Sequence, residues 1–243
     1  MSQKALVIDL HKCVGCHACA ANCKAWNTQG DAGPLTDTNP YGKDPEGVWF
    51  NRVQTYEVGK FPDVEVVHLP KSCMHCKNAP CVEVCPTGAS YKRMEDGIVL
   101  VNYDDCIGCK YCSWACPYGC REFDEFEGVM KKCTLCVDRI YNEALPEEER
   151  KPACVITCPA KARAFGDIDE PDSEASRWIA EGKGYKLMPE SGADPSNHYL
   201  PKRKVKIHVD KEALLKIAQL AHIDMTRHII CDSDSVSEDV AQP

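Results

Sequence analysis

The chain has 243 residues, 18 of which are cysteines, and it carries a formal net charge of −8 at pH 7. This length gives room for one large domain or two small domains with a buried core, and the acidic balance argues against nucleic acid as the main partner. Disulfide scaffolds with so high a cysteine content are usually short and secreted, so a disulfide framework is disfavoured for a chain of this length.

No segment predicts a secretory signal or a membrane span. The apolar run that begins at Ala5 is interrupted by Asp9, and no apolar stretch approaches the roughly 20 residues needed to cross a bilayer. We therefore expect that the chain either stays in the cytoplasm or is carried across the membrane by a partner.

The first cysteine group follows a short apolar run that is predicted to be a β-strand. Its spacing is C-x₂-C-x₂-C-x₃-C, formed by Cys13, Cys16, Cys19 and Cys23. Residues 25–72 are predicted to be an insertion that carries a β-hairpin. The two β-rich runs of this hairpin, separated by a turn-forming segment, are residues 52–58 and 64–69.

Two more groups lie next to each other in the middle of the chain. The second is C-x₂-C-x₄-C-x₃-C-P, formed by Cys73, Cys76, Cys81 and Cys85. The third is C-x₂-C-x₂-C-x₃-C-P, formed by Cys106, Cys109, Cys112 and Cys116. In bacterial ferredoxins the latter run gives three thiolates to one [4Fe–4S] cluster and the fourth to a second cluster. The spacing therefore predicts iron–sulfur clusters that come in pairs.

The fourth group is split by a spacer, and it consists of Cys133, Cys136, Cys154 and Cys158. Four-cysteine zinc sites are the main alternative for all four groups. Such sites combine two C-x₂-C pairs, however, and gain nothing from a third cysteine three residues later. We expect Cys120 and Cys231, which lie outside the groups, to be free buried thiols.

The groups also repeat along the chain. Residues 6–16 match residues 99–109 position by position, and each segment is predicted to be a strand that runs into a cluster loop. The adjacent second and third groups would form one two-cluster module, and the first and fourth groups would form a second module around it. The sequence thus predicts an α+β fold of nested, bacterial-type two-cluster ferredoxin modules with an inserted β-hairpin and a C-terminal helical extension.

The predicted organisation has four segments. A short helix is expected to start after Pro171 and to end at Gly182. Residues 213–229 place apolar side chains at helical spacing, and we expect this helix to dock on a partner or on its own chain. The segments are 1–72 (first cluster motif and hairpin), 73–128 (inserted two-cluster module), 129–204 (fourth cluster motif) and 205–243 (C-terminal helix and disordered tail).

The four groups, their order and the split fourth group resemble the four-cluster iron–sulfur subunits of molybdopterin oxidoreductases of the dimethyl sulfoxide reductase type. The resemblance covers residues 1–204. Within it, five segments look closest to the quinone-linked sulfite dehydrogenase branch of this family: residues 26–28, 33–35, 51–56, 128–139 and 198–201.

The resemblance implies one ligand set for each cluster. Cluster 1 would be bound by Cys13, Cys16, Cys19 and Cys158, and cluster 2 by Cys23, Cys133, Cys136 and Cys154. Cluster 3 would be bound by Cys73, Cys76, Cys81 and Cys116, and cluster 4 by Cys85, Cys106, Cys109 and Cys112. Some relatives carry tryptophan at the position of Cys109 and hold a three-iron cluster there.

The function that the resemblance implies is electron relay. A partner with a molybdenum–pterin cofactor would handle the substrate, which the finer resemblance suggests is sulfite, and an integral membrane subunit would handle quinone. The chain would be a non-catalytic, peripheral subunit at the cytoplasmic face of the inner membrane. Alternatives are a relay for dimethyl sulfoxide, thiosulfate or polysulfide reduction, a free-standing multi-cluster ferredoxin, and a zinc-stabilised binding module.

Overall fold

The computed structural model describes residues 2–28, 48–61 and 63–203. In these ranges short strands and helices alternate with loops that carry the cysteines. The strands are β1 (Lys4–Asp9), β2 (Asn51–Lys60), β3 (Asp63–Ser72), β4 (Ser90–Lys92), β5 (Val99–Val101), β6 (Glu122–Asp124), β7 (Val129–Lys131), β8 (Arg163–Asp167) and β9 (His198–Leu200). The helices are α1 (Ala18–Asn27), α2 (Pro80–Glu83), α3 (Tyr111–Trp114), α4 (Val137–Ile140), α5 (Ala153–Ile156) and α6 (Glu174–Gly182).

Strand β1 is the centre of a three-stranded sheet with the order β8-β1-β9. It pairs antiparallel with β8, where Leu6 lies opposite Phe165, and parallel with β9, where Ile8 lies opposite Tyr199. The side chains of residues 5–8 are fully buried, as expected for a central strand that is covered on both faces. The sheet therefore holds the first cysteine group, which follows β1, close to the end of the fourth group, which precedes β8.

Three antiparallel two-stranded ladders complete the sheets: β2–β3, β4–β5 and β6–β7. In the longest of them, Asn51 lies opposite Ser72 and Lys60 lies opposite Asp63, so β2 and β3 contain the two predicted β-rich runs. Strand β5 precedes the third cysteine group as β1 precedes the first, which agrees with the repeat in the sequence. Mixed short strands and helices make the described fold α+β.

Helix α6 confirms the short helix predicted after Pro171. The hydroxyl of Ser173 accepts a hydrogen bond from the backbone N–H of Ser176 at 3.1 Å and so caps the helix. Within the described ranges, no helix is long and apolar enough to cross a membrane. The helix predicted over residues 213–229 and the predicted tail lie outside the described residues.

Cysteines form part of the buried core. One apolar cluster surrounds Leu6 and Leu135, and it includes Cys19, Cys23, Cys73, Cys133 and Cys154. A second surrounds Ile8 and Tyr199, and it includes Cys76, Cys81 and Cys112. Because thiols line both apolar clusters, whatever these thiols bind contributes directly to the stability of the core.

Candidate metal centres

The predicted ligands of cluster 4 surround one cavity. Backbone N–H groups of Ser90 and Met130 donate to two of the sulfurs, those of Cys85 and Cys106, both at 3.4 Å. Burial raises the pKa of Cys85, but hydrogen bonds, above all from the N–H of Ser90, outweigh burial and lower the pKa overall. The cysteines that line the cavity are Cys85, Cys106, Cys109 and Cys112.

The predicted ligands of cluster 3 also lie together. Burial, together with the negative charge of three neighbouring thiolates, raises the pKa of Cys76 to about 12. Like charges raise a pKa in this way only over a short distance. The three neighbours are Cys73, Cys81 and Cys116.

The cysteines of the predicted cluster 2 come from three distant parts of the chain. The side-chain amide of Asn27 donates to the sulfur of Cys23 at 3.5 Å and to the sulfur of Cys136 at 3.8 Å. Burial raises the pKa of Cys23 well above its usual value, and three thiolates raise it further. These thiolates belong to Cys133, Cys154 and Cys136.

The predicted cluster 1 set joins the first cysteine group to the last cysteine of the fourth. Burial raises the pKa of Cys13, a backbone hydrogen bond lowers it, and the thiolates of Cys19 and Cys158 raise it again. The sulfur of Cys158 also accepts the backbone N–H of Ala162 at 3.3 Å. Cys16, the remaining member, is exposed. The set therefore lies nearer the surface than the cluster 2 set, in which every cysteine is buried.

The surroundings of the four sets suit a group that accepts hydrogen bonds. Among the described residues, Arg121 keeps two buried nitrogens without a partner, Nε and Nη1, and Arg163 keeps one, Nη1. The sulfurs of iron–sulfur clusters are held by thiolates and accept hydrogen bonds, so both the donor set and these nitrogens fit such clusters. In the same described part of the chain, no three His, Cys, Asp or Glu side chains converge closely enough to hold a single metal ion.

Sequence reasoning missed the polar side chains that contact the sulfurs. Arg121 stands five residues after Cys116, and Arg163 stands five residues after Cys158. Aligning the third and fourth groups on their Cys-Pro endings would have placed the two arginines at the same position. Asn27 carries no comparable signal, because its contact with Cys136 depends on how α1 packs.

Cys120 is half-buried, whereas the sequence predicted a fully buried thiol. Its thiol donates a hydrogen bond to the carbonyl oxygen of Ser72, with the sulfur 3.1 Å from that oxygen. The same thiol also hydrogen-bonds to Cys116. That bond is the largest influence on Cys116, whose pKa falls to about 5. Cys231 lies outside the described residues.

Comparison with known proteins agrees with this arrangement. Two family profiles, both described as 4Fe-4S dicluster domains, match residues 64–168 and 12–89. A sulfite dehydrogenase subunit of Allochromatium vinosum is 64% identical over 217 residues, which cover 89% of this chain and 90% of that protein. A provisionally named iron–sulfur subunit of a dimethyl sulfoxide reductase from Halobacterium salinarum is 42% identical, covering 82% of this chain and 79% of that protein.

A selenate reductase subunit of Mesobacillus selenatarsenatis is more distant. It is 35% identical over 228 residues, which cover 80% of this chain and 70% of that protein. These likenesses extend over most of both chains in each pair. The chain therefore belongs to the iron–sulfur subunits of the dimethyl sulfoxide reductase family of molybdopterin oxidoreductases, and it is an electron-transfer subunit similar to that of the Allochromatium vinosum sulfite dehydrogenase.

Proposed function

We propose that the chain relays electrons through four [4Fe–4S] clusters between a molybdenum–pterin catalytic subunit and a quinone-reactive membrane subunit. The observation that carries this proposal is the gathering of distant cysteines into sets of four, such as Cys23 with three thiols from the fourth group. Clusters bound there would supply one-electron carriers, and the chain's own residues would hold, insulate and tune them.

The proposed ligands are the four sets that the family resemblance implies. The cavity lined by four cysteines supports the set of cluster 4. The three thiols that act on the pKa of Cys23 are the other members of the cluster 2 set, and those that act on Cys76 are the other members of the cluster 3 set. Two members of the cluster 1 set act on Cys13 in the same way. Each set takes cysteines from more than one group, which is the sharing that paired clusters need.

The proposed organisation is nested. Residues 73–128 would form the inner two-cluster module, while residues 1–72 and 129–204 would close around it as the outer module, followed by the segment 205–243. The antiparallel pairing of β1 with β8 supports this, because it joins the first and fourth cysteine groups across the inner module.

Sulfite is the proposed substrate of the catalytic partner, and the 64% identity to a sulfite dehydrogenase subunit supports it. A relay for dimethyl sulfoxide reduction is the second candidate, which the 42% identical relative favours. In both cases the molybdenum–pterin cofactor would belong to the partner. We place the complex at the cytoplasmic face of the inner membrane, with this chain as a peripheral component.

An exposed apolar surface beside cluster 4 supports a membrane-subunit partner. Trp114 is 82% exposed, and its ring centroid lies 6.0 Å from that of Tyr111, which is also exposed. Ile107, which lines the cluster 4 cavity, is exposed as well. Large aromatic side chains that are left open in this way are typical anchors of protein interfaces. We call Ile107, Tyr111 and Trp114 the aromatic surface.

Anaerobic purification of the tagged chain from its own cells tests the proposal. A large molybdenum-containing subunit should co-purify, and added sulfite should reduce the clusters, as seen by electron paramagnetic resonance. Dithionite serves as the control that reduces clusters regardless of partner. A chain that purifies alone with its clusters loaded would instead be a free-standing ferredoxin.

A further inference from the structure

Two arginines occupy equivalent places in the two halves of the cysteine repeat. Arg121 immediately precedes β6, and Arg163 is the first residue of β8, each five positions after a Cys-Pro cysteine. Both are buried, with relative exposures of 4% and 5%. Among the described residues, neither has a carboxylate within ion-pair distance. A buried guanidinium without a counter-charge is costly, so a partner for each is expected close by.

Arg121 lies between the proposed clusters 3 and 4. Its Nη2 donates to the sulfur of Cys81, a proposed ligand of cluster 3, at 3.1 Å, and to the hydroxyl of Ser90 at 2.6 Å. The same side chain lines the cavity of cluster 4. The hydrogen bond to Cys81 and the position in the cavity wall put the guanidinium beside ligands of both sets.

Arg163 has the corresponding place between the proposed clusters 1 and 2. Its Nη2 donates to the side-chain oxygen of Asn51 at 3.0 Å. The Arg163 side chain also hydrogen-bonds to Cys154, a proposed ligand of cluster 2. The backbone N–H of Ala162, the residue before Arg163, donates to the sulfur of Cys158, a proposed ligand of cluster 1, at 3.3 Å.

The unpartnered nitrogens show where further acceptors belong. Nε and Nη1 of Arg121 and Nη1 of Arg163 are buried and have no acceptor among the described residues. Each guanidinium is surrounded by cysteines instead of carboxylates. The acceptors that this chemistry calls for are sulfur atoms of the clusters themselves.

We propose that Arg121 sets the reduction potentials of clusters 3 and 4 together, and that Arg163 does the same for clusters 1 and 2. This inference rests on the proposed function. Each transfer moves one electron, so the donor cluster is oxidised and the acceptor cluster becomes more negative by one charge. A fixed positive charge between two clusters stabilises the reduced form of both, because a buried charge is weakly screened. No proton moves, since guanidinium stays protonated.

The test is a redox titration of the assembled complex, followed by electron paramagnetic resonance. Arg121→Gln should lower the potentials of clusters 3 and 4. At a fixed applied potential, their ratio of reduced to oxidised form should fall about tenfold, which corresponds to about 59 mV for one electron. Clusters 1 and 2 should be unchanged. Arg163→Gln should give the reverse pattern, and Arg121→Lys, which keeps the charge, should shift clusters 3 and 4 much less.

Arg177→Gln is the matched control, because it removes an equal charge from an exposed position on α6. Potentials that stay at wild-type values in both buried-arginine variants, with all clusters loaded, would overturn the inference and leave the proposed function standing. Loss of iron from both variants would also overturn it, since it would indicate a structural role. A wild-type chain without iron–sulfur signals would instead contradict the proposed function.

Discussion

The side-chain amide of Asn27 lies 3.8 Å from the thiol sulfur of Cys136, although 109 residues separate the two along the chain. The same amide donates to the sulfur of Cys23 at 3.5 Å. A single polar side chain at the end of α1 thus contacts two sulfurs of one proposed ligand set. Hydrogen bonds to cluster sulfurs are one of the factors that set reduction potential.

Replacing Asn27 by leucine keeps the number and branching of the side-chain heavy atoms and removes the amide. We expect Asn27→Leu to lower the potential of cluster 2, because hydrogen bonds to sulfur favour the more negative, reduced form. A lost hydrogen bond is worth about 1 kcal/mol, which is about 40 mV for one electron. A redox titration with Asn78→Leu as control checks this, since the amide of Asn78 donates to the carbonyl of Gly192. An unchanged cluster 2 signal in Asn27→Leu would contradict the expectation.

Cys109→Ser should convert cluster 4 into a three-iron cluster without unfolding the chain. Losing one iron changes the cluster type and charge, and therefore its potential. We expect quinone-linked activity to fall while the catalytic partner still turns over with an artificial dye. The readout is a three-iron signal in electron paramagnetic resonance, measured beside both activities.

Cys16→Ser is the matched variant, because Cys16 and Cys109 occupy the same position in the repeat. It should impair both activities, since cluster 1 would lie nearest the molybdenum partner. Equal loss of both activities in Cys109→Ser, in a complex that remains assembled, would show that the proposed order of clusters is wrong.

Local features of the fold were predictable from the sequence. The spacing of the cysteines is a local signal, and so are the β-rich runs around a turn that indicated strands β2 and β3. Helix α6 followed from Pro171 and Gly182. The match of residues 6–16 with residues 99–109 needed only a comparison of one short segment with another, so no tertiary information was required.

Contacts between distant segments could not be predicted in the same way. The parallel pairing of β1 with β9 depends on Asn197, whose side chain accepts the N–H of Leu6 at 2.9 Å and donates to the carbonyl of Cys73 at 2.9 Å. Nothing in the local sequence around Asn197 marks these partners. The burial of Arg121 and Arg163 could not be predicted either, because an isolated arginine is usually exposed.

Replacing Gly108 by alanine should disturb the structure more than replacing Gly88. Both have positive φ, 65° and 72°, where a side chain costs about 1–2 kcal/mol. A methyl group on Gly108 would also collide with the backbone oxygen of Gly128, whereas nothing lies within 4 Å of one on Gly88. We expect Gly108→Ala to lower the melting temperature and the occupancy of cluster 4 more than Gly88→Ala does. Equal effects in thermal melts and iron assays would contradict this.

The aromatic surface should be required for docking on the membrane subunit. We expect Trp114→Ala to weaken that association by roughly 2 kcal/mol, or about 30-fold, as is usual for a central aromatic anchor. Dye-linked activity should be unaffected. Phe61→Ala is the control, because Phe61 is 93% exposed but lies in the β2–β3 turn. Membrane vesicles that bind both variants as well as the wild type would rule out this docking surface.

Iron and acid-labile sulfide in the anaerobically purified chain, measured together with zinc by elemental analysis, test the four-cluster proposal most directly. Four proposed sets of four thiolates predict about sixteen irons and about sixteen sulfides per chain, from four irons and four sulfides in each cluster. The protein should be brown and should contain little zinc. Stoichiometric zinc with little iron, in a colourless protein, would contradict the proposal.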